Sequence, residues 1–291
     1  MNGTSGLQAA LHLSGLKKGE LVITQSVTFV ATCNAIKISG AEPVFVDISK
    51  TSLGMCPRAL SKYLEDNTYL NEEGKCFHSV SKKRIRAILP MHTYGHPVEI
   101  DELSIIANKW NLILIEDAAE SLGSYYNNKH TGTFGDYGVF SFNGNKVITT
   151  GGGGAILCKT NESGEIAKHI TTTAKVPHDY KFKHDQVAYN YRMPNLNAAL
   201  GLAQLQRLNE YIQIKRDIAL SYQSWGERNG FNFVKELSGT RSNYWLNTML
   251  VEDREERDLL LKETNDHSIM TRPAWDPVHL MTANTHCQRD S

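Results

Sequence analysis

The 291-residue sequence predicts an α/β fold in which helices cover a mostly parallel sheet. Short runs rich in Val, Ile and Leu alternate with helical segments through the first two thirds of the chain, an order typical of parallel strands joined by helices. The aliphatic runs are brief and nearly continuous, which indicates strands buried on both faces. Hydrophobic residues make up 41% of the chain, enough for a large buried core.

The elements follow one another in a regular order. The first strands are predicted at residues 20–24, 43–48, 85–91 and 111–118. Two further strands, with the sequences YGVFSF and GAILCK, flank the four glycines at positions 151–154. Helical spacing predicts helices at 28–40, 56–66 and 99–111. The polar segment 66–84 is interpreted as a polar insertion or a solvent-exposed hairpin.

The pattern changes after Pro194. Residues 195–228 form a long helical stretch with apolar residues at steps of three and four, and the chain beyond it is shorter and more polar. Long helices often connect two domains. We therefore predict a large domain at 1–208 and a small C-terminal domain at 209–291.

The composition argues against several classes of protein. Lys plus Arg and Asp plus Glu both total 31, so the net charge of zero argues against a general nucleic-acid binder, although a local basic patch would not show in the total. The five cysteines form no CxxC pair and no zinc spacing, so reduced thiols and no metal are expected. No apolar run reaches the length of a membrane span and no signal peptide is recognised, so a soluble cytoplasmic protein is expected.

A possible phosphate site precedes the first helix. The stretch NGTSGLQAAL, residues 2–11, places a glycine and two hydroxyl residues, Thr4 and Ser5, before an apolar helical run. The free amides of a helix N-terminus together with hydroxyl groups would bind a phosphate. An ordinary Ser/Thr helix cap explains the same pattern.

A carboxylate ends the fourth predicted strand. In IEDAAES, residues 115–121, the aliphatic run stops at Glu116 and Asp117. Ligands of open parallel sheets sit beyond the carboxyl ends of the strands, which places Asp117 where it can meet one. The alternative is that Asp117 caps the following helix.

One lysine stands in an unusual setting. Lys146 lies between the YGVFSF strand and the glycines at 151–154, and glycines let a ligand approach the backbone closely. A lysine becomes nucleophilic where burial or a neighbouring charge favours its neutral form. The alternative is a surface lysine beside a flexible loop. The glycine run does not match a dinucleotide fingerprint or a P-loop.

Together, the phosphate site, the strand-end carboxylate and the lysine match the needs of pyridoxal 5'-phosphate (PLP). The aldehyde needs an amine, the phosphate needs amides and hydroxyls, and the pyridine nitrogen needs a carboxylate to keep it protonated. The sequence therefore predicts PLP as the cofactor.

The chain resembles the sugar aminotransferases of the DegT/DnrJ/EryC1/StrS family, which are fold type I PLP enzymes. The resemblance covers most of residues 2–206 and rests on the stretches NGTSGLQAAL, SVTFVATCNAIKISGAEPVFVDI, ILPMHTYGHPVEIDEL, IEDAAESLGSYYNNKHTGTFGDYGVFSFNGNK, ITTGGGGAIL and YNYRMPNLNAALGLAQL. It is closest to enzymes acting on nucleotide-linked 4-keto-6-deoxy-N-acetylhexosamines. It implies a sheet of the seven-stranded type, here expected to lack its first strand, and a shortened small C-terminal domain.

The resemblance also implies roles for the residues at the reacting end of the cofactor. Lys146 would bind the aldehyde and move protons, and Asp117 would pair with the pyridine nitrogen. Glu120 stands where the family usually has glutamine, near the phenolic oxygen of the ring, and its negative charge would alter the site unless it is protonated.

The remaining implied contacts are with the phosphate, the ring face and the substrate. Thr4, Ser5 and Ser141 would hold the phosphate. Phe29 would stack on the ring, or else pack in the core. Asn190 would reach the phosphate of the neighbouring subunit in a homodimer with shared sites, or else serve as a turn residue.

Two residues near the carboxyl end of the third strand are possible substrate contacts. The resemblance implies that His92 and Tyr94 approach the sugar. The alternative for the histidine is a hydrogen-bonded residue of the core.

The implied reaction transfers an amino group from glutamate to the 4-keto group of the sugar. Two alternatives remain open. One is a non-catalytic relative that binds PLP or a nucleotide sugar, or pairs with a full-length partner. The other is a 3-aminotransferase or a dehydratase, although dehydratase relatives carry histidine at the lysine position.

Overall fold

The computed structural model describes residues 1–290. Its strands in chain order are β1 (Leu21–Gln25), β2 (Glu42–Val46), β3 (Thr68–Leu70), β4 (Cys76–His78), β5 (Ile85–Leu89), β6 (Ile113–Asp117), β7 (Tyr125–Tyr126), β8 (Lys129–His130), β9 (Tyr137–Ser141), β10 (Gly154–Cys158), β11 (Lys175–Val176), β12 (Lys183–His184), β13 (Asn232–Phe233), β14 (Thr240–Arg241) and β15 (Met249–Leu250). Its α-helices are α1 (Gly3–Leu13), α2 (Val30–Ile38), α3 (Pro57–Asn67), α4 (Ile100–Lys109), α5 (Asn161–Thr171), α6 (Asn195–Gln206), α7 (Leu208–Asn229) and α8 (Arg254–Asp266).

The central sheet has six strands in the order β10-β9-β6-β5-β1-β2. The pairs from β9 to β2 are all parallel, and only β10 runs antiparallel to its neighbour β9. These are the six strands predicted from the aliphatic runs. The prediction of an α/β fold with a mostly parallel sheet is confirmed.

Helices bury the sheet on both faces. Leu21 and Ile23 of β1 face one core cluster, which includes Leu60 of α3 and Leu103 of α4. Val22, between them, faces the opposite cluster, which includes Leu7 of α1. Successive side chains of a strand point to opposite faces, so a strand covered on both sides needs an apolar residue at every position. This is why the strand sequences are nearly continuous aliphatic runs.

Two predicted segments differ in detail from the observed elements. The polar segment 66–84 contains the antiparallel hairpin β3–β4, so a hairpin is confirmed, but Thr68, Cys76 and His78 are buried in it instead of exposed. The long helical stretch 195–228 is instead two helices, α6 and α7, separated at Arg207, whose backbone angles (φ −104°, ψ 4°) leave the helical range.

The C-terminal part of the chain returns to the sheet-bearing part. Residues 242–245 are buried, and the backbone amide of Asn243 donates to Ser124 Oγ at 2.9 Å. Near the end of the chain, Arg289 forms a bridge with Phe45 of β2. The division at residue 208 stays a prediction, and Ser291, the last residue of the predicted small domain, lies outside the described residues.

Among residues 1–290, no helix is both long enough and apolar enough to cross a lipid bilayer.

Candidate active site

Asp117 is the last residue of β6 and lies at the carboxyl edge of the sheet, as predicted. Its side chain is 3% exposed. One carboxylate oxygen, Oδ2, accepts a hydrogen bond from Thr32 Oγ1 at 2.8 Å, and Oδ1 accepts one from the backbone N–H of Ala119 at 3.1 Å. Burial raises the pKa of Asp117, although these hydrogen bonds and the charge of Lys146 act to lower it. Turns and then β7 follow Asp117, so the alternative that it caps a following helix is wrong, and its bond to Ala119 belongs to a turn.

Lys146 lies in the loop between β9 and β10, and its side chain is only 12% exposed. Its Nζ is 3.5 Å from Glu120 Oε1. The aromatic ring of Trp245 covers the amine, with Nζ 4.1 Å from the ring centroid. The alternative of a solvent-exposed surface lysine is therefore wrong.

Glu120 is buried beside the lysine. It is 2% exposed, and its Oε2 accepts a hydrogen bond from the backbone N–H of Tyr94 at 2.8 Å. Burial raises its pKa to about 8, against the opposing effect of Lys146. Glu120 is thus mostly protonated at neutral pH. A neutral carboxyl group donates and accepts hydrogen bonds much as the amide of a glutamine does, so it adds little charge to the site.

The N-terminus of α1 meets the carboxyl end of β9. The cap of α1 is Asn2, whose Oδ1 accepts from the backbone N–H of Ser5 at 2.8 Å. Neither Thr4 nor Ser5 is the cap, and both stand half-buried in the first helical turn. A Cβ atom at Gly3 would lie 2.9 Å from the Cβ of Ser141, so only glycine allows this close approach.

Ser5 also lines a groove of about 680 Å³ that lies between α1, β10 and α5. Neither Asp117 nor Lys146 lines this groove. The first turn of α1 therefore borders two surfaces, the groove along β10 and the junction with Ser141.

Phe29 precedes α2 and is 47% exposed. Its ring lies 5.9 Å from that of Trp275. Nearly half of the residue is accessible, which disagrees with plain core packing and leaves part of the side chain open to a ligand.

His92 and Tyr94 occupy different environments. His92 is fully buried, its Nε2 lies 2.9 Å from Glu116 Oε2, and its Nδ1 accepts from the backbone N–H of Val98 at 3.2 Å. Both ring nitrogens are therefore engaged in the core, as in the alternative for this histidine. Tyr94 is 7% exposed with a left-handed backbone (φ 55°), and burial raises the pKa of its phenol to about 12.

Asn190 lies on an exposed segment. It bridges to Thr172, and its Oδ1 accepts from Arg192 Nε at 3.3 Å. None of these contacts involves Asp117, Glu120 or Lys146. Within this chain, Asn190 stands apart from those residues.

Two residues that contact the site, Asn243 and Trp245, were not predicted from the sequence. Asn243 Nδ2 donates to the carbonyls of Glu120 and Leu122, both at 2.9 Å. Trp245 Nε1 donates to the carbonyl of Asn145 at 2.7 Å. The local signal for them is weak: an aromatic pair, Tyr244 and Trp245, in a polar stretch of the chain.

These residues fit PLP. Asp117 is a buried carboxylate whose hydrogen bonds come from two neutral donors, so a pyridinium N–H would give it a charged hydrogen-bond partner. An amine lies in the same buried cluster, and a half-exposed aromatic ring flanks the helix that carries Thr32.

Comparison with known proteins assigns the class of the protein. The model of the DegT/DnrJ/EryC1/StrS aminotransferase family matches residues 1–290. The chain belongs to this family. Aminotransferases of the DegT/DnrJ/EryC1/StrS family use PLP, so the predicted cofactor and reaction class are confirmed.

Individual relatives support the assignment. The chain is 36% identical to EpsN of Bacillus subtilis (strain 168), a proposed pyridoxal phosphate-dependent aminotransferase, over 96% of this chain and 69% of EpsN. It is also 36% identical to the GDP-perosamine synthase of Escherichia coli O157:H7, over 96% of this chain and 72% of that enzyme. The crystal structure of a DegT/DnrJ/EryC1/StrS aminotransferase from Brucella abortus superposes with a TM-score of 0.88 at 28% identity, covering 99% of this chain and 74% of that chain. The fold type I architecture is thereby confirmed.

Proposed function

We propose that this DegT/DnrJ/EryC1/StrS aminotransferase moves an amino group from glutamate to the 4-keto group of a nucleotide-linked 4-keto-6-deoxy-N-acetylhexosamine. The similarity to a GDP-perosamine synthase supports a nucleotide-linked sugar as the acceptor. The observation that carries the proposal is the enclosed amine of Lys146, 3.5 Å from Glu120, in the same cluster as Asp117. A lysine so placed favours amino transfer over dehydration.

The three buried side chains would divide the chemistry among them. PLP, when bound, supplies an electron sink for the substrate carbon that loses a proton. Asp117 would hold a proton on the pyridine nitrogen. Glu120, held protonated by burial, would donate a hydrogen bond to the phenolic oxygen. Lys146 would bind the aldehyde carbon and then carry the proton between cofactor and substrate.

The other end of the cofactor would be held by the junction of α1 and β9. Thr4 and Ser5 in the first turn of α1, with Ser141 at the end of β9, would bind the phosphate through hydroxyls and helix amides. Phe29 would cover the ring, and the 47% exposure of this residue supports that contact. Tyr94, beside Glu120, would border the sugar. For His92 the same contact would need a rearrangement, because both of its ring nitrogens are already paired in the core.

We also propose a homodimer in which Asn190 reaches the phosphate bound by the neighbouring subunit. The segment around Asn190 exposes large apolar side chains, with Tyr180, Phe182 and Val187 each at least 79% accessible. Burying such side chains against a second copy would be favourable. Size-exclusion chromatography with light scattering tests the homodimer. A monomer that still binds PLP tightly would overturn the proposed role of Asn190.

The cysteines support a reducing compartment. All five are free thiols. Disulfides are uncommon in the cytosol, so a cytoplasmic location is proposed.

The test of function has two stages. Purified protein mixed with PLP should develop a visible absorption band, which Lys146→Ala should abolish. Adding glutamate should remove the band and release 2-oxoglutarate, and the treated protein should aminate one of several nucleotide-linked keto-sugars tried as acceptors. A band that glutamate never changes would instead support the non-catalytic relative. Amination at C3, or loss of water from the sugar, would support the other alternative.

A further inference from the structure

The segment Ser242–Trp245, from the C-terminal part of the chain, lies against the loops that carry the site. Its four residues are at most 8% exposed. Tyr244 adopts a left-handed backbone (φ 45°), a conformation that a non-glycine residue keeps only where the surrounding contacts impose it. The segment is therefore held in one shape by its contacts.

Asn243 fixes this segment to the loop that follows Asp117. Its side-chain amide donates to the carbonyls of Glu120 and Leu122, while its Oδ1 accepts from the backbone N–H of Trp245 at 2.8 Å. The backbone N–H of Asn243 donates to Ser124 Oγ. Because the side chain is fully buried and all of its groups are paired, the position of Trp245 is tied to that of Glu120.

Trp245 in turn contacts the lysine loop in two ways. The indole N–H donates to the carbonyl of Asn145 at 2.7 Å, and the ring face lies 4.1 Å from Lys146 Nζ. The amine is enclosed between the indole face and Glu120 Oε1. Aromatic faces attract an ammonium group, and this attraction strengthens where water is excluded.

We propose that Trp245 is a positioning residue for Lys146, holding its amine beside Glu120 where it can reach the aldehyde of PLP. This inference rests on the proposed function for its catalytic meaning. The placement of the amine can be tested without the cofactor. In this scheme Trp245 forms no bond to the cofactor or the substrate, and it acts through its contacts with Lys146 and Asn145.

The first experiment measures the reactivity of Lys146 in the cofactor-free protein. Acetylation by an excess of N-hydroxysuccinimidyl acetate is followed at Lys146 by mass spectrometry, with exposed lysines as internal references. In Trp245→Leu, which removes both contacts, Lys146 should label about tenfold faster than in the wild type. Trp245→Phe keeps a ring but loses the indole N–H, so its rate should lie between the two.

The second experiment measures the same variants with PLP. The dissociation constant for PLP, read from the visible band, should rise about tenfold in Trp245→Leu and less in Trp245→Phe. The control is Trp225→Leu, because Trp225 is 44% exposed on α7 and stacks on Phe231. It should leave both readouts unchanged.

A folded Trp245→Leu variant with wild-type labelling and wild-type PLP affinity would overturn the inference, whatever its melting temperature. If Trp245→Leu does not fold, the intermediate behaviour expected of Trp245→Phe decides the question. Failure of the wild type to form the visible band would refute the proposed function instead, and the labelling rates would still show whether Trp245 encloses the amine.

Discussion

Thr32 Oγ1 donates a hydrogen bond of 2.8 Å to Asp117 Oδ2, joining the first helix after β1 to the end of β6. Both side chains are buried, with Thr32 at 0% and Asp117 at 3% exposure. A hydrogen bond to a carboxylate favours its charged form and fixes its direction. Thr32 therefore opposes the effect of burial on the pKa of Asp117 and keeps the oxygen pointing one way.

Replacing Thr32 by valine tests this relationship. Thr32→Val keeps the shape of the side chain but removes the donor, so Asp117 should be a poorer partner for the pyridine nitrogen. The dissociation constant for PLP should rise about tenfold, measured by absorbance titration. Thr24→Val is the matched control, because Thr24 is equally buried but donates to the carbonyl of Leu89. The Thr24→Val variant should be less stable than the wild type but bind PLP equally well. Equal PLP affinities in the Thr32→Val and Thr24→Val variants would refute the role of Thr32.

The raised pKa of Glu120 predicts a pH dependence of folding. The folded state holds the proton of Glu120 up to about pH 8, whereas an ordinary glutamate releases it near 4.5. Between these values the folded state binds more protons than the unfolded state, so stability falls as pH rises through this window. Glu120→Gln removes that contribution.

Urea unfolding of the cofactor-free protein at pH 5 and pH 8 measures the contribution of Glu120 to this pH dependence. The urea midpoint of Glu120→Gln should lie above that of the wild type. This difference between the two proteins should be larger at pH 8 than at pH 5. The exposed residue Glu72 supplies the control, since Glu72→Gln should change both midpoints alike. An identical pH response in the wild type and Glu120→Gln would show that Glu120 ionises normally.

The buried pair of His92 and Glu116 predicts a loss of stability. Burial acts to raise the pKa of Glu116, but hydrogen bonds from His92 and from the amides of Gly135 and Gly132 lower it overall. His92→Ala leaves the carboxylate buried with one partner fewer, which should lower the free energy of unfolding by about 3 kcal/mol. Urea denaturation measures this, with the exposed His267→Ala as a control within ~0.5 kcal/mol of the wild type. A variant of unchanged stability with a higher KM for the sugar would favour the substrate contact instead.

The sequence predicted those parts of the protein that depend on local pattern. Six strands of the central sheet follow from aliphatic runs, because both faces of the sheet are buried. The position of Asp117 at a strand end also follows from neighbours in the chain. Lys146 was chosen only in combination with that carboxylate and the possible phosphate site, because its glycine surroundings alone also fit a surface lysine.

The parts that escaped prediction depend on distant contacts. Asn243 meets Glu120 across 123 positions of sequence, and Trp245 meets Asn145 across 100, and no local pattern records such pairings. The core position of His92 was foreseen as an alternative, but its partner Glu116, 24 residues further on, was not. The helix break at Arg207 has no Gly or Pro beside it that would have predicted it.

Gly95 makes the approach of the C-terminal segment possible. It has a left-handed backbone (φ 95°), and a Cβ atom there would overlap Asn243 Oδ1. Its carbonyl accepts hydrogen bonds from Ser124 Oγ at 2.7 Å and Ser242 Oγ at 3.0 Å. A side chain at this position would both strain the backbone and displace Asn243.

Gly95→Ala should therefore lower the free energy of unfolding by about 3 kcal/mol. It should also raise the dissociation constant for PLP, because Asn243 links this loop to Glu120 and Trp245. Gly164→Ala is the matched control. Gly164 lies in α5 with nothing within 4 Å of an added Cβ atom, so alanine there should stabilise the protein by ~0.5–1 kcal/mol without changing PLP affinity. The same substitution should thus lower the free energy of unfolding at Gly95 and raise it at Gly164. This contrast separates the effect of the close approach to Asn243 from the general effect of an alanine. A Gly95→Ala variant as stable as the wild type would mean that the Ser242–Trp245 segment can move away at little cost, and the site would then not depend on its position.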